Sequence, residues 1–558
     1  MYFSRFTQCI VIFVASLALS CAYGKDSNAK KQKTPDITLE FLESKPSGIA
    51  RDFYIWRYLS DENTKLQDAI KAYELVSRKN PKLNTLMSKK GKPDELPANF
   101  YCRSLDINAL LQKDLACLKQ GLRLSQVPNL PPKTLQALKE AIKSDANLTL
   151  KVEILSSKQI LTQMLNADAK TFAEIFNILG AQQKERIINQ TIKPASIKKL
   201  GDQNAREFNR ILQKILFEDS LSKFKKSLLG AKITGADSYT SFLLGLYELQ
   251  NGNKEAAIEY FKLSESKSKD SLFVNRARFW QYYCGGDEEV LRALSQSKNP
   301  DLYTLYAIQK LEVAPSYTIV SGFENLSSTK KPAFDITDPF EWQILRDNLT
   351  LVKDSKALMK LAENFAFSES EAHFAYVHNR ASNFANSYFI TPFSDKLEWK
   401  STHQKAITYA VAKQESIFLP ALVSTSYALG MMQIMPFNVE PFARSLGIKD
   451  ITLEDMFNPL IALEFGRFYL GDLEREFKNP LFIAYAYNGG PGFLRRTLAK
   501  KTLFKKNRAY EPWLSLELLP IEETRYYGIK VLANYIVYQE LFGNKVSVEE
   551  ILKATLVN

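Results

Sequence analysis

Residues 38–365 are a succession of short amphipathic segments, and this feature limits the fold more than any other in the sequence. Each segment is about a dozen residues long, and polar turns separate it from the next. Glycine is scarce, with 22 residues in 558, which favours helices. We therefore predict a mainly α chain that begins with stacked helical hairpins, an N-terminal α-superhelix or solenoid. Clear segments are 106–121, 132–144, 157–165, 171–179 and 206–217.

One pair of segments has the spacing of a helical repeat. Gly245, Gly252, Ala257 and Phe261 follow one another at intervals of seven, five and four residues. This spacing resembles a tetratricopeptide helix pair, in which small residues lie where two helices cross and a large one fills the gap. Because there is one convincing copy, an irregular helical domain stays open as the alternative to a regular superhelix.

The N-terminus has the features of a secretory signal peptide. Arg5 provides a basic start, residues 10–19 are mostly apolar, and small residues precede a cleavage point near Gly24. The apolar run is shorter than the roughly 20 residues that a membrane-spanning helix needs. We therefore expect export to the periplasm and no stable membrane span. A membrane anchor and a lipid anchor at Cys21 are the alternatives.

The net charge of +13 suits a nucleic acid, a membrane surface or an anionic polymer as partner. Export favours the polymer and speaks against nucleic acid. A basic surface that is merely solvated is the plain alternative.

Three cysteines follow the predicted signal peptide, so at least one of them cannot be in an intramolecular disulfide. Cys102 and Cys117 are 15 residues apart and permit a disulfide in an oxidising compartment, which leaves Cys284 free. Two buried thiols are the alternative. With three histidines and no Cys-x-x-Cys, the chain is not expected to hold a metal or another cofactor.

Residues 401–415 have the pattern of a helix that carries a carboxylate on its apolar face. Ser401 and Gln404 have the form of a capping box. Ile407 and Val411 continue a stripe that reaches Glu415 one turn later. A carboxyl in such a place loses hydration, which raises its pKa; at a pKa of about 6, roughly a tenth of the groups would be protonated near neutral pH. A surface glutamate at a helix end is the alternative.

Two later segments also carry structural signals. Asn458 and Pro459 have the form of an N-cap followed by proline at the first helical position, and the helix should run to about residue 477. Residues 483–487 suggest a short apolar helix, and we expect residues 488–492 to form a glycine-rich loop that brings the backbone close to another group. A plain turn that ends the helix is the alternative.

Four short motifs follow one another in the last third of the chain. They are Gln414-Glu415-Ser416, Gly430-Met-Met-Gln-Ile-Met-Pro436, Ala486-Tyr-Asn-Gly-Gly-Pro-Gly492 and Glu523-Thr-Arg-Tyr-Tyr527. These motifs resemble the catalytic domain of the soluble lytic murein transglycosylases, which is marked by Gln-Glu-Ser, Gly-Leu-Met-Gln-x-Met-Pro, Ala-Tyr-Asn-Ala-Gly-Pro-Gly and Glu-Thr-Arg-x-Tyr.

The resemblance implies a C-terminal lysozyme-like domain. Together with the composition and periodicity of the rest of the chain, it predicts an organisation in five parts. These are a signal peptide (1–24), a disordered mature N-terminus (25–37), a helical superhelical domain (38–365), a linker (366–395) and the catalytic domain (396–558).

The resemblance also implies an activity. The enzyme would cleave the β-1,4 bond between N-acetylmuramic acid and N-acetylglucosamine in peptidoglycan and form a 1,6-anhydro sugar. Glu415 would be its single acid and base. Its partners would be glycan strands and possible cell-wall synthesis proteins. The residues implied to line the substrate cleft are Ser424, Met432, Gln433, Tyr487, Asn488 and Glu523.

The chain departs from the family pattern at four places. Met431 replaces Leu, Tyr427 replaces the Gly of a common Gly-Ala pair, Leu419 replaces Asn, and Gly489 replaces Ala. None of them removes a group that carries a proton, so they put in doubt the pocket around Tyr427 and not the reaction. A true lysozyme, which hydrolyses the same bond, and a non-catalytic glycan-binding scaffold are the rival interpretations.

Overall fold

The computed structural model describes residues 34–557, and helices make up most of them. The prediction of a mainly α chain is confirmed. The predicted signal peptide and most of the predicted disordered N-terminus lie outside the described residues. Between residues 34 and 557 no helix combines the length and the apolar character needed to cross a membrane.

The first fifteen helices are short and make up the first part of the N-terminal region. They are α1 (Leu39–Ser44), α2 (Ile49–Ser60), α3 (Leu66–Glu74), α4 (Pro81–Met87), α5 (Ala98–Ser104), α6 (Ile107–Leu110), α7 (Leu115–Gly121), α8 (Pro132–Ile142), α9 (Ala146–Leu155), α10 (Ile160–Asn166), α11 (Ala169–Ile178), α12 (Ala181–Ile187), α13 (Pro194–Gly201), α14 (Arg206–Leu216) and α15 (Ser222–Lys226).

The next eight helices are mostly longer, and two three-residue strands accompany them. They are α16 (Ser238–Gln250), α17 (Lys254–Lys267), α18 (Ser271–Gly285), α19 (Glu288–Ser295), α20 (Leu302–Leu311), β1 (Thr318–Val320), α21 (Pro339–Leu351), α22 (Ser355–Ala362), α23 (Glu371–Ala381) and β2 (Asn386–Tyr388). β1 and β2 pair in parallel, with Ile319 opposite Ser387. Residues 366–395, which we predicted to be a linker, thus contain α23 and β2.

Eight helices form the C-terminal part. They are α24 (Thr402–Ser416), α25 (Pro436–Leu446), α26 (Pro459–Phe477), α27 (Pro480–Gly489), α28 (Pro491–Ala499), α29 (Trp513–Leu518), α30 (Glu522–Leu541) and α31 (Val548–Lys553). Short 3-10 helices lie in the connections of the whole chain, at Pro93–Glu95, Leu124–Asn129, Asp219–Leu221, Glu363–Phe365, Ser368–Ser370, Ser394–Lys396 and Glu454–Phe457.

Many helices of the N-terminal region pack on their neighbours in the chain, as predicted for helical hairpins. The clearest pair is α16 and α17. A Cβ atom on Gly245 would lie 2.7 Å from Cε1 of Phe261 and 3.1 Å from the carbonyl oxygen of Ala257. The glycine therefore lets the two helices approach closely, which is the role that the repeat-like spacing predicted.

The segment predicted as one helix over residues 106–121 is two helices. The Asp106 carboxylate accepts hydrogen bonds from the backbone of α6, and the Asp114 carboxylate accepts one from the Cys117 amide (2.8 Å) at the start of α7. Each aspartate is thus an N-cap that begins a new helix. The disulfide between Cys102 and Cys117 is present and joins α5 to α7, while Cys284 is free and buried.

The two ends of the chain share one apolar core. A cluster of buried side chains includes residues of α1–α4, of α16–α20 and of every helix from α24 to α31. A second cluster holds α5–α15 together. The C-terminal helices are therefore packed against the N-terminal region and not merely tethered to it.

Tyr427 is part of this shared packing. Its side chain is buried, its ring stacks on Trp56 at 5.6 Å, and its hydroxyl accepts a hydrogen bond from Nδ2 of Asn80 (2.9 Å). Its φ of +66° lies in the left-handed region, where the resembled family commonly has glycine. The tyrosine thus occupies a strained backbone position and docks on the N-terminal helices.

Two substitutions of Tyr427 distinguish the stability that its side-chain contacts provide from the cost of its left-handed backbone. We expect Tyr427→Ala to lower the free energy of unfolding by about 3–5 kcal/mol, because a large buried aromatic ring is lost. Tyr427→Gly loses the same contacts and should be less destabilised than the alanine variant by roughly 0.5 kcal/mol or more. The left-handed backbone costs alanine about 1–2 kcal/mol, of which the greater freedom of unfolded glycine offsets a part. Denaturant unfolding would measure both values, and equal stability of the two variants would contradict the strain.

Candidate active site

Helix α24 presents Glu415 at its C-terminal end. The Ser401 hydroxyl accepts a hydrogen bond from the Gln404 amide (3.1 Å) and caps the helix, as predicted. The side chain of Gln404 accepts from the Lys400 amide (3.0 Å) instead of completing the capping box. The helix ends at Ser416, because Ile417 has a left-handed φ of +53°.

The carboxyl group of Glu415 is half-buried on the face that α24 turns toward α30. The pKa of this carboxyl is raised to about 8, mainly by burial and to a smaller extent by the negative charge of Glu523. The hydroxyl of Tyr527 donates a hydrogen bond to Oε1 (2.7 Å), which opposes the increase. With such a pKa, roughly nine tenths of the groups are protonated at pH 7, against under ~1% for an ordinary glutamate.

Tyr527 is the residue that the sequence analysis missed. It is the last residue of the fourth motif, so the signal was present in the tyrosine of Glu-Thr-Arg-x-Tyr. Gly528 follows it, and a Cβ atom there would lie 2.1 Å from Cε1 of Tyr485. The glycine allows α27 to pack closely on α30 and so places the Tyr527 hydroxyl beside Glu415.

The loop that follows α24 is tied to the helix and to itself. The Ser416 hydroxyl donates to the carbonyl oxygen of Met431 (2.7 Å). Gly430 has a φ of +73°, and a Cβ atom there would lie 1.8 Å from the carbonyl oxygen of Met456. Only glycine fits this position. The second motif therefore packs closely against the C-terminal end of α24.

Ser424 and Gln433 use part of their hydrogen-bonding capacity inside this loop. The Ser424 hydroxyl accepts from the Ala428 amide (2.9 Å). The Gln433 side-chain nitrogen donates to the carbonyl oxygens of Gly430 (2.8 Å) and Leu422 (3.3 Å). These bonds fix the loop and orient both side chains. The carbonyl oxygen of the Gln433 amide makes no hydrogen bond within the described part of the chain.

Met432 contributes its backbone and not its thioether. The side chain is completely buried and packs beside Gly466 on α26. Its carbonyl oxygen accepts a hydrogen bond from the Tyr487 hydroxyl (2.7 Å). The Tyr487 ring lies near Glu415, and burial, together with the charge of that glutamate, raises the pKa of the tyrosine. The Met432 thioether is therefore closed off from solvent in this structure, and a contact of Met432 with substrate stays a prediction.

The prediction of a loop at residues 488–492 is wrong. α27 extends through Gly489, and α28 begins at Pro491, so Gly490 alone separates them at a φ of +83°. The Asn488 Oδ1 atom accepts a hydrogen bond from the Thr524 hydroxyl (2.8 Å). A Cβ atom on Gly489 would lie 3.0 Å from Thr524. The glycine thus leaves room where α27 meets α30.

Glu523 is exposed at the start of α30 and makes no hydrogen bond to the residues that the structure describes. It forms no ion pair with Arg525, two residues later on the same helix. The Arg525 guanidinium donates instead to the carbonyl oxygen of Leu519 (2.8 Å) and to the hydroxyl of Tyr239 (2.9 Å). Glu523 influences the site through its charge.

The arrangement can deliver and recover one proton. The half-buried carboxyl of Glu415 is protonated near neutral pH, accepts a hydrogen bond from Tyr527 and lies near the ring of Tyr487. Across residues 34–557 there is no group of three or more histidine, cysteine or acidic side chains that could hold a metal ion.

Removal of the Tyr527 hydroxyl should shift the pH profile. Its hydrogen bond lowers the pKa of Glu415, so in Tyr527→Phe this pKa rises further above 8. The alkaline limb of kcat/KM, which reports the acid in the free enzyme, should move to higher pH. Loss of a hydrogen bond to a charged group should also lower the rate by about tenfold. A limb that stays in place or moves to lower pH would show that Tyr527 does not act on Glu415.

Comparisons with known proteins point to one family. Residues 392–510 match the family described as transglycosylase SLT domain. A soluble lytic murein transglycosylase of Salmonella typhimurium is 27% identical over 307 residues, which are 50% of this chain and 45% of that protein. The soluble lytic murein transglycosylase of Escherichia coli is 31% identical over 138 residues, 24% of this chain and 21% of that protein.

One solved structure is similar over most of the chain. It is the 70 kDa soluble lytic transglycosylase of Escherichia coli, with 18% identity, a TM-score of 0.48, and 91% of this chain and 84% of that chain covered. In the sequence alignments, the chain spans about half the length of the longest-matching curated relatives.

Proposed function

We propose, from the membership of residues 392–510 in the transglycosylase SLT domain family, that this chain is a lytic transglycosylase. It cleaves the β-1,4 bond between N-acetylmuramic acid and N-acetylglucosamine in peptidoglycan and forms 1,6-anhydro-N-acetylmuramic acid. The observation that carries the proposal is the Glu415 carboxyl, which is protonated near neutral pH and held by Tyr527.

In the first step Glu415 donates its proton to the oxygen that links the two sugars. The bond between this oxygen and C1 of the muramyl residue breaks, and N-acetylglucosamine leaves with a free hydroxyl. The substrate's own N-acetyl oxygen stabilises the cationic C1, as in substrate-assisted glycosidases. This role of the substrate explains how one buried carboxyl suffices.

In the second step the Glu415 carboxylate takes the proton from the muramyl 6-hydroxyl. The 6-oxygen closes onto C1, and the enzyme recovers its protonated acid without consuming water. The Tyr527 hydroxyl stabilises the carboxylate between the two steps through its hydrogen bond to Oε1. Acid and base action of this kind contributes roughly 10²–10⁴-fold to the rate.

The remaining residues bind the substrate in this proposal. Gln433 offers its amide oxygen, and Ser424 offers its hydroxyl to sugar or N-acetyl groups. Tyr487 stabilises the cationic sugar, and the exposed Glu523 contacts the glycan. Asn488 is fixed by Thr524, and Met432 acts through its backbone.

The mass of the products tests the reaction. Digestion of purified peptidoglycan should release muropeptides that are lighter by one water than those from a lysozyme digest of the same material, because the ring closure replaces hydrolysis. Zymography on cell wall separates either enzyme from a non-catalytic scaffold, which would leave no cleared zone. Products with the hydrolytic mass would exclude the transglycosylase and identify a lysozyme.

The place of action follows from the substrate. Peptidoglycan lies outside the cytoplasmic membrane, so we propose a periplasmic enzyme that reaches it through the predicted signal peptide. Glycan strands are its proposed partners, and the packed N-terminal helices offer a surface for possible cell-wall synthesis proteins.

A further inference from the structure

A cavity of about 700 Å³ lies where the N-terminal helices meet the start of α30. Its walls come from α11, α12, α14 and α16 and from residues 520–525. It is separate from the site around Glu415, although α30 contributes to both. Its volume falls in the range of roughly 300–1,000 Å³ that is usual for ligand sites.

The charged groups of this cavity are mainly cations. The charged residues that line it are Lys184, Arg210, Lys214, Arg525, Glu218 and Glu522. Within residues 34–557 none of the four cations forms an ion pair. Burial, followed by the nearby charge of Lys214, lowers the pKa of Lys184, and Glu218 opposes this in part. The cations therefore repel one another, and an anion in the cavity would relieve the repulsion.

Arg525 is the strongest sign of a ligand. Its side chain is only 1% exposed, yet its partners in the protein are all neutral. Nε donates to the carbonyl oxygen of Leu519, Nη1 donates to the hydroxyl of Tyr239, and the guanidinium lies 4.2 Å from the centre of the Phe217 ring. Nη2 has no hydrogen-bond partner in the part of the chain that the structure describes. Glu218 and Glu522 line the same cavity, but neither forms an ion pair with Arg525 in the described residues. A buried charge is unfavourable unless it is paired, so an anion that reaches Nη2 would be stabilised there.

We propose that this cavity binds the carboxylates of an acidic peptide. Guanidinium groups fit carboxylates with two parallel hydrogen bonds, and Arg210 and Lys214, one turn apart on α14, add two further donors. The inference rests on the proposed function, because the muramyl residues of peptidoglycan carry short acidic peptides. Arg525 and Tyr527 are two residues apart on α30, and side chains at this spacing lie on different faces of a helix. The peptide in the cavity and the glycan beside Glu415 would therefore lie on different sides of α30.

Calorimetric titration of the full chain with a free acidic peptide tests the proposal without any cleavage. The peptide should carry at least two carboxylates, and its fully amidated form is the comparison. We expect saturable binding of the acidic form and at least about tenfold weaker binding of the amidated one. The variant Arg210→Gln/Lys214→Gln should lose about tenfold or more in affinity for the acidic form.

A matched control removes two charges elsewhere. Lys133 and Lys139 are exposed on α8 and make no side-chain hydrogen bond or ion pair to described residues. Lys133→Gln/Lys139→Gln should therefore bind the acidic peptide as the unmodified chain does. If both double variants lose affinity equally, the effect is one of net charge, and the cavity is not the site.

Other outcomes also decide the question. Absence of acidic-peptide binding, or equal binding of the amidated form, overturns the proposal. Inorganic phosphate that binds more tightly than the peptide assigns the cavity to a small anion and overturns it as well. Peptide binding in a chain that fails to cleave peptidoglycan would refute the proposed function alone, whereas cleavage without peptide binding would refute this site alone.

Discussion

Glu415→Gln is expected to abolish the cleavage of peptidoglycan while the fold is retained. The amide has the size of the carboxyl but neither donates a proton to the leaving oxygen nor takes one from the 6-hydroxyl. Because Glu415 is proposed to perform both transfers, the loss should reach about 10³–10⁴-fold, the upper part of the range for acid–base catalysis. Release of soluble muropeptides measures the loss.

The same variant has a stability signature that does not depend on activity. The pKa of Glu415 is raised from 4.5 to about 8 in the folded chain, so the folded state holds a proton that the unfolded state releases between these pH values. Stability of the unmodified chain therefore falls as the pH rises from 4.5 to 8. Glu415→Gln avoids this cost. Its Tm should match the unmodified chain near pH 4 and exceed it at pH 8.

Glu440→Gln is the matched control for both measurements. Glu440 lies on α25 in the same part of the chain, and its side chain is 79% exposed. It should keep full activity and show no pH-dependent gain in Tm. Substantial activity in Glu415→Gln would refute the catalytic assignment, and a Tm difference that is the same at both pH values would refute the buried, protonated carboxyl.

Glu517→Gln is expected to be the most destabilising of the conservative substitutions considered. Glu517 on α29 and Arg276 on α18 form an ion pair whose side chains are each 1% exposed. Trp280 Nε1 (3.1 Å) and the Tyr303 hydroxyl (2.7 Å) also donate to Glu517. Removal of its charge leaves a buried guanidinium without a counter-ion, which should cost about 3–5 kcal/mol in the free energy of unfolding.

This ion pair is also connected to the candidate active site, through Tyr526 on α30. Arg276 Nη1 donates to the Tyr526 hydroxyl (2.6 Å), and Tyr526 precedes Tyr527 on α30. A displaced Arg276 would therefore disturb the segment that holds Glu415. We expect Glu517→Gln to reduce activity together with stability, and denaturant unfolding and muropeptide release should both record the change.

The double variant Arg276→Met/Glu517→Met shows whether stability depends on the pairing of the two charges or only on the volume that the two side chains fill. Replacing both partners by apolar side chains of similar size is often neutral or stabilising, so the double variant should be more stable than Glu517→Gln. Glu440→Gln again serves as control, because its exposed pair with Arg444 should contribute less than about 1 kcal/mol. A Glu517→Gln variant as stable as this control would contradict the buried charge pair.

Local patterns in the sequence were sufficient for several of the helices and for the choice of a candidate acid. Helix α24 was predicted within one residue at each end, because the capping by Ser401 and the 3.6-residue periodicity act within a few residues. Asn458 caps α26 as expected, with its Oδ1 accepting from the Leu460 amide (3.0 Å). The proposal of Glu415 as acid and base likewise came from its place on an apolar stripe within a motif.

Local patterns failed where a distant residue decides the outcome. The segment expected as a loop at residues 488–492 belongs to two helices that Gly490 alone separates, and its Asn488 side chain is held by Thr524 on α30. Tyr427 was expected to alter the shape of the pocket, yet its side chain packs on Trp56 and Asn80, which lie near the other end of the chain. Neither contact leaves a trace in the neighbouring sequence.

The sequence by itself determined that the chain is mainly helical and which carboxyl is the candidate acid, since helix periodicity, capping and motif chemistry are local properties. Only the tertiary structure decided how acidic that carboxyl is. Its pKa depends on loss of water and on the hydroxyl of Tyr527, which is 112 residues away in the chain. Desolvation and hydrogen bonding are properties of the surroundings in space, and those exist only once α24, α27 and α30 have packed together.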